Sequence, residues 1–185
     1  MKRILAILLV LCTISGCTVQ GSELDRAMAL RTKLLARQVS FAARITADYG
    51  DALHSFSLTC QADAQGNVTF TVTEPESIRD ITGTLSAGTG KLTFDDKAIA
   101  FDLLADGQLS PVSAPWIFIK ALRSGYLTSC GKEGEHLRLA VDDSYADDAL
   151  HLDIWLGSDD LPFRAEILWR GRRLLSMDVT NFTFV

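Results

Sequence analysis

The sequence predicts an α+β fold: a strongly curved antiparallel sheet of about ten strands, covered by a long N-terminal helix and a short central helix. Three observations carry this expectation. Apolar residues recur with helical spacing once after residue 22 and once after residue 114. Almost everywhere else they alternate with polar residues in short runs bounded by turn residues, as in antiparallel hairpins with one face buried. A sheet of that width with every apolar position on one face must curl or be covered, and the two helices are the available cover.

The chain opens with Lys2 and Arg3, then an apolar run from Ile4 to Ile14, then the small residues Ser15 and Gly16 before Cys17. The run falls short of the about 20 residues that span a bilayer. Basic, apolar and small residues in that order form a secretory signal with a processing site. Ile14-Ser15-Gly16-Cys17 resembles the lipobox of bacterial lipoproteins. The resemblance implies cleavage before Cys17, a diacylglyceryl group on its sulfur and an exported body anchored to a membrane. The expected organisation is a signal peptide over 1–16, a lipidated tether over 17–21 and one domain over 22–185. The anchor would hold that domain on the outer face of the bacterial cytoplasmic membrane or facing the periplasm.

Ser22 followed by Asp25 reads as a helix N-cap with an acidic third position. A helical stripe then runs from about Glu23 to Ala47 through Ala27, Leu30, Leu34, Phe41 and Ile45. Arg26, Arg31, Lys33, Arg37 and Arg44 flank it, and Gly50 after Asp48-Tyr49 suits a left-handed cap. The stripe is expected to pack on the body of the protein. From Ala52 the period becomes two: Phe56, Leu58, Cys60; Val68, Phe70, Val72; Ile81, Gly83, Leu85; Leu92, Phe94; Ile99, Phe101, Leu103. Some six such strands in succession argue for a meander. Pro115 to Leu122 reads as the short helix, with Ser113 near its cap, Pro115 in its first turn and Cys130-Gly131 at its end. Ile119, Leu122 and Tyr126 form its apolar side. Alternation then returns around Leu139, Ile154, Ile167 and Met177, giving four or five more strands.

The whole chain is 48% apolar, enough for a sizeable core, and its formal charge is −5. Removing residues 1–16, which hold Lys2 and Arg3 and no acid, takes the charge to about −7. An acidic surface argues against nucleic acid and against a polybasic hold on anionic lipid. Cys60 and Cys130 are the two cysteines outside the processing region; outside the cytosol a disulfide between them is permitted, and two free thiols fit equally well.

Catalytic patterns are wanting. His54, His136 and His151 are isolated, without the close ligand pairs of a metal site. The pairs Asp95-Asp96, Asp142-Asp143, Asp147-Asp148 and Asp159-Asp160 sit between strand patterns, where aspartate bonds to turn backbone. No nucleophile elbow and no phosphate loop occurs. The expectation is a non-enzymatic protein without cofactor or metal.

The order of elements, with Val72-Thr73-Glu74-Pro75 before Ile81-Thr82-Gly83 and Leu161-Pro162-Phe163-Arg164-Ala165-Glu166 before Met177-Asp178-Val179-Thr180-Asn181-Phe182, resembles the lipoprotein-carrier superfamily. That resemblance implies a half-barrel whose apolar cavity takes acyl chains. The side chains to line it are Phe56, Leu58, Phe70, Val72, Phe101, Trp116, Phe118, Ile154, Ile167 and Trp169. Spore-envelope lipoproteins of the same fold are also similar, and they imply a different role, binding and activating a cortex amidase. With Leu152, Ile154 and Leu156 turned inward, Trp155 is expected on the outside as a partner contact, and His151 on the other face from it.

Overall fold

The computed structural model describes residues 19–86, 92–94, 104–105 and 109–185. Residues 1–18, with Cys17, lie outside the described residues, as do Asp95-Asp96, Ile99, Phe101 and Leu103. Helix α1 (Val19–Ala36) leads into strands β1 (Val39–Asp48), β2 (Leu53–Ala62), β3 (Val68–Glu74), β4 (Thr82–Leu85) and β5 (Leu92–Phe94). Helix α2 (Ala114–Ser124) follows, then β6 (Tyr126–Glu133), β7 (His136–Asp142), β8 (Leu150–Leu156), β9 (Pro162–Trp169) and β10 (Arg172–Phe184). All ten strands form one antiparallel sheet in the order β5-β4-β3-β2-β1-β10-β9-β8-β7-β6. The curved open sheet and its two covering helices make an α+β half-barrel. It is two meanders, β1 to β5 and β6 to β10, joined where β1 pairs with β10 at the centre.

The long helix is shorter than the sequence pattern implied. It ends at Ala36, and Val39–Asp48 is the central strand β1. Phe41 and Ile45 are four apart, a spacing that satisfies both the helical and the extended period. What separates the two is the intervening set: Val39, Ala43 and Ala47 are also buried, so the true period is two. Nor is Ser22 an N-cap, since α1 already begins at Val19. Gly50 does have a positive φ of 96°, but it turns the β1–β2 hairpin and donates its N–H to Asp48 Oδ1 at 2.7 Å. The second helix also stops early. Gly125 ends it, and Tyr126–Glu133 with Cys130-Gly131 is strand β6. A Cβ on Gly125 would sit 2.4 Å from a Val141 methyl carbon, so that close passage onto the sheet requires glycine. Ser113 is the N-cap residue and Pro115 lies in the first turn, but the Ser113 hydroxyl donates to Ser110 O rather than capping the helix.

The register places the alternating apolar residues on one inner face. Across β1, β2, β3 and β4 one row reads Phe41, Cys60, Phe70, Gly83. Gly83 carries no side chain because the Phe70 ring occupies that space, 2.5 Å from where its Cβ would be. At the β1–β10 seam Phe41 stacks on Phe182 at 5.6 Å between centroids. Phe118 of α2 meets both rings edge-on at 5.9 and 6.5 Å. Phe118 is fully buried, so this aromatic cluster fixes the middle of α2 over the middle of the sheet.

Candidate functional site

Two arginines about ninety residues apart lock the helices to each other. Arg31 of α1 donates to the carbonyl oxygens of Leu122 and Gly125 at 2.9 Å each, at the C-terminal end of α2. Arg123 of α2 donates in return to Leu34 O in the last turn of α1, and to Ala64 O in the β2–β3 turn at 2.6 Å. Each guanidinium thus satisfies carbonyls that a helix end or turn leaves without an internal partner, and brings positive charge to a helix C-terminus. Burial pushes the pKa of both arginines below the ordinary arginine value. The turn that receives Arg123 is itself built tightly. Asp63 accepts N–H bonds from Gln65 and Asn67 at 2.9 Å and from the Asn67 amide at 2.7 Å. Burial works to raise the Asp63 carboxyl, but the bonds from Asn67, Gln65 and Gly66 outweigh it and hold it below its ordinary value.

Under this clasp lies the inner face. Phe56, Leu58, Phe70, Val72, Phe118, Ile154 and Ile167 are each at most 3% exposed and belong to one packed apolar cluster. Trp116 and Trp169 are partly buried and pack against its margin. Lys120 Nζ lies 5.6 Å from the Trp116 ring centroid and Arg170 Cζ 4.2 Å from that of Trp169. Both indole N–H groups are sheltered and meet no hydrogen-bond partner among the described residues. Phe101, the remaining expected lining residue, lies outside the described residues.

Cys60 and Cys130 are free thiols, not a bridge. Cys60 is buried on β2 and Cys130 half-buried on edge strand β6, with β1, β10, β9, β8 and β7 between their strands. Burial pushes both thiols up; at Cys130 the Glu23 carboxylate adds to this and Arg26 opposes it.

The outer face divides in two. Over β1 to β4 two register rows are uncharged, Ser40, Gln61, Thr69, Thr84 and Ala42, Thr59, Thr71, Thr82, and the next row, Arg44, Ser57, Glu74, is charged. A groove of about 630 Å³ opens here, and no charged residue lines it. Asn181 reaches it from a bulge in β10, at a φ of 55°, where the β1–β10 register shifts between Ser40 and Ala42.

Over β7 to β10 the same face is charged. Arg138 donates through Nε and a terminal nitrogen to Asp153 Oδ1 at 3.0 and 2.7 Å, and Asp153 is 6% exposed. The hydrogen bond to Asp153 raises the Arg138 pKa, burial opposes it, and the Asp153, Glu133 and Glu166 charges reinforce it. His151 Nδ1 shares a 2.7 Å hydrogen bond with Asp142, and its Nε2 lies 3.5 Å from Asp153. Glu166 accepts from Arg164 at 2.6 Å and from Arg173 at 3.0 Å.

Trp155 does point outward, but it is half-buried rather than bare. Its indole donates to Glu133 at 3.2 Å and lies between the guanidinium carbons of Arg138 and Arg164, at 5.8 and 5.3 Å. His151 shares that face, because residues four apart on a strand point the same way. The aspartates behave partly as turn residues: Asp143 accepts from Leu150 N–H and Asp159 from Leu161 N–H. Asp142 is instead the partner of His151. No group of three or more His, Cys, Asp or Glu among the described residues is placed to hold a metal.

No family model matches the sequence, and no curated protein matches it. Solved structures do resemble its fold. An uncharacterized conserved protein from Thermus thermophilus is 12% identical with a TM-score of 0.44, over 87% of this chain and 86% of that one. A LolA superfamily protein from Nitrosomonas europaea is 12% identical with a TM-score of 0.38, over 86% and 93%. A putative outer membrane lipoprotein-sorting protein domain from Vibrio parahaemolyticus is 7% identical with a TM-score of 0.39, over 89% and 93%. At these identities the likeness is one of fold alone.

Proposed function

We propose that this protein is a non-enzymatic binding lipoprotein of the bacterial envelope. Its sulfur-linked diacylglyceryl on Cys17 tethers the half-barrel to a membrane, and the inner face takes an acyl chain or another apolar ligand. The observation that carries the reading is the uninterrupted apolar inner face of the sheet, covered by two helices that a pair of arginines holds together. The lining side chains are packed, so a ligand enters by displacing part of the α2 cover, with Phe118 as the contact it replaces. Native mass spectrometry of the full-length protein extracted from membranes tests this. The expected result is a bound acyl-bearing molecule that organic extraction releases. A protein that carries only its own covalent lipid would overturn the ligand assignment.

A second reading has its own support in the neutral groove over β1 to β4. A groove of about 630 Å³ whose uncharged lining mixes hydroxyls and amides with Phe41, Cys60 and Phe70 suits an uncharged partner surface. In that reading the protein is a stationed adaptor that binds or activates a cell-wall hydrolase such as a spore cortex amidase. Capture of the hydrolase by wild type and its loss on Thr71→Arg would favour it; equal capture by both would remove it.

A further inference from the structure

Helix α1 carries two apolar stripes, and the packing explains only one. Ala27, Leu30 and Leu34 are buried against the body. Leu24, Met28 and Leu35 fall within about 40° of one another around the helix. They are 44, 44 and 52% exposed, a high value for three large apolar residues on one helix. The stripe extends about 16 Å along the axis. It continues sideways from Met28 to the half-buried Leu127 on edge strand β6, with which Met28 lines a shallow dent.

The rotation of α1 is fixed, so the stripe cannot turn inward. Arg31 is committed to the end of α2, Arg26 pairs with Asp160 at 2.5 Å, and Arg37 reaches Phe184 O at 3.4 Å. The same contacts engage Arg26 and Arg31 of the helix, and Arg37 just past its end, with the body.

We infer that the Leu24, Met28 and Leu35 stripe is a membrane-contact surface that lays α1 flat on the bilayer that holds the anchor. The inference rests on the proposed acylation of Cys17. One residue, Thr18, separates Cys17 from Val19, where α1 begins, and the two steps along the chain reach at most about 7 Å. The helix therefore starts at the level of the lipid headgroups, within the 5–10 Å depth at which an interfacial helix seats its apolar face. An aqueous partner protein would have to compete for that stripe with a bilayer already beside it. The attraction is apolar rather than electrostatic: the chain is acidic, Arg26 and Arg31 are engaged elsewhere, and exposed Lys33 lies about 140° or more around the helix from the stripe. Contact is accordingly insensitive to anionic lipid.

The test uses the lipidated full chain in phosphatidylcholine vesicles, with and without phosphatidylglycerol. A nitroxide is attached at Met28→Cys, at Leu35→Cys or, as an outer-face reference, at Thr59→Cys. The background is Cys130→Ser, with buried Cys60 unlabelled. The expected result is a several-fold higher ratio of oxygen to nickel-chelate accessibility at 28 and 35 than at 59, equal in the two lipid mixtures. Aqueous values at all three sites on vesicle-bound, acylated protein would overturn the stripe and leave the tether standing. A ratio that rises only with phosphatidylglycerol would overturn its apolar basis. An intact mass without the diacylglyceryl increment would overturn tether and stripe together.

Discussion

Across β1 to β4 the two outward rows Ser40, Gln61, Thr69, Thr84 and Ala42, Thr59, Thr71, Thr82 carry no charge; between β7 and β10 the outward side chains include arginines, acids and a histidine that pair with one another. The backbone and the inner face are the same kind of structure in both halves, so the difference belongs to the outer surface alone. On the charged half the donors and acceptors are largely spent within the molecule: Asp153 has Arg138, Glu166 has Arg164 and Arg173, and Trp155 is enclosed by two guanidinium groups. On the other half hydroxyls also pair, as Ser40 does with Thr183, but an open groove of uncharged residues lies among them. Charge density is therefore a poor guide to where this protein is free to bind. The charged half is paired within itself, and the uncharged rows of the other half border an open groove.

The comparison can be broken or sharpened by substitution. The largest effect falls on what the halves share. Phe118→Ala empties the aromatic contact at the β1–β10 seam and is expected to cost about 4 kcal/mol. Urea unfolding should show both halves losing stability in one transition. Next, Arg138→Ala removes the main partner of buried Asp153. A loss of about 2 kcal/mol is expected, reduced from the value for fully buried pairs because Arg138 itself is partly exposed. Adding Asp153→Leu to that variant should recover most of the loss in the same urea assay, which a purely steric role for Arg138 would not allow.

Asp63→Asn, in the turn that the neutral half offers to Arg123, should cost about 1 kcal/mol at pH 7. Its signature is in the pH dependence. A carboxyl held below its ordinary value in the folded state stabilises fully above the unfolded pKa of about 4, and that contribution is lost as pH falls through the folded value. Wild type should therefore lose part of its melting temperature below about pH 4 that the Asn variant does not lose. The smallest effect belongs to the neutral face. Thr71→Val should change stability by no more than about 0.5 kcal/mol, since nothing buried depends on its hydroxyl. A larger destabilisation, read by thermal melting, would show that this face is structural after all.

Much of the fold was legible because the strands follow the simplest rule available, apolar inside and polar outside at a period of two. Runs such as Phe56, Leu58, Cys60 and Leu152, Ile154, Leu156 admit no helical alternative. β1 was hidden by Phe41 and Ile45, whose spacing serves either period, and by small alanines that carry little signal at the positions that decide. β6 was hidden because an edge strand over helix α1 buries few residues and so shows little alternation. The candidate site was less legible. The burial of Phe56, Leu58, Phe70, Val72, Ile154 and Ile167 could be read from the sequence, since inner-face position on a strand follows from alternation. The arginine clasp could not, because it joins Arg31 to Leu122 and Arg123 to Leu34 across about ninety residues through backbone carbonyls, which every residue carries. The Arg138–Asp153 pair needed the β7–β8 register, in which Asp153 stands opposite Ala140 and Arg138 opposite Trp155.

The central seam has a consequence for how the chain reaches this state. Ser40 and Thr183, which face each other across β1 and β10, are 143 residues apart in sequence. Contacts of such long range close slowly, because the loop entropy is lost before the pairing returns anything. Until residues 172–184 arrive, β1 is an edge rather than a centre, and its free N–H and C=O groups are open to wrong partners. A chain exported in unfolded form would meet this interval outside the cytosol, so its sheet is completed from the middle last.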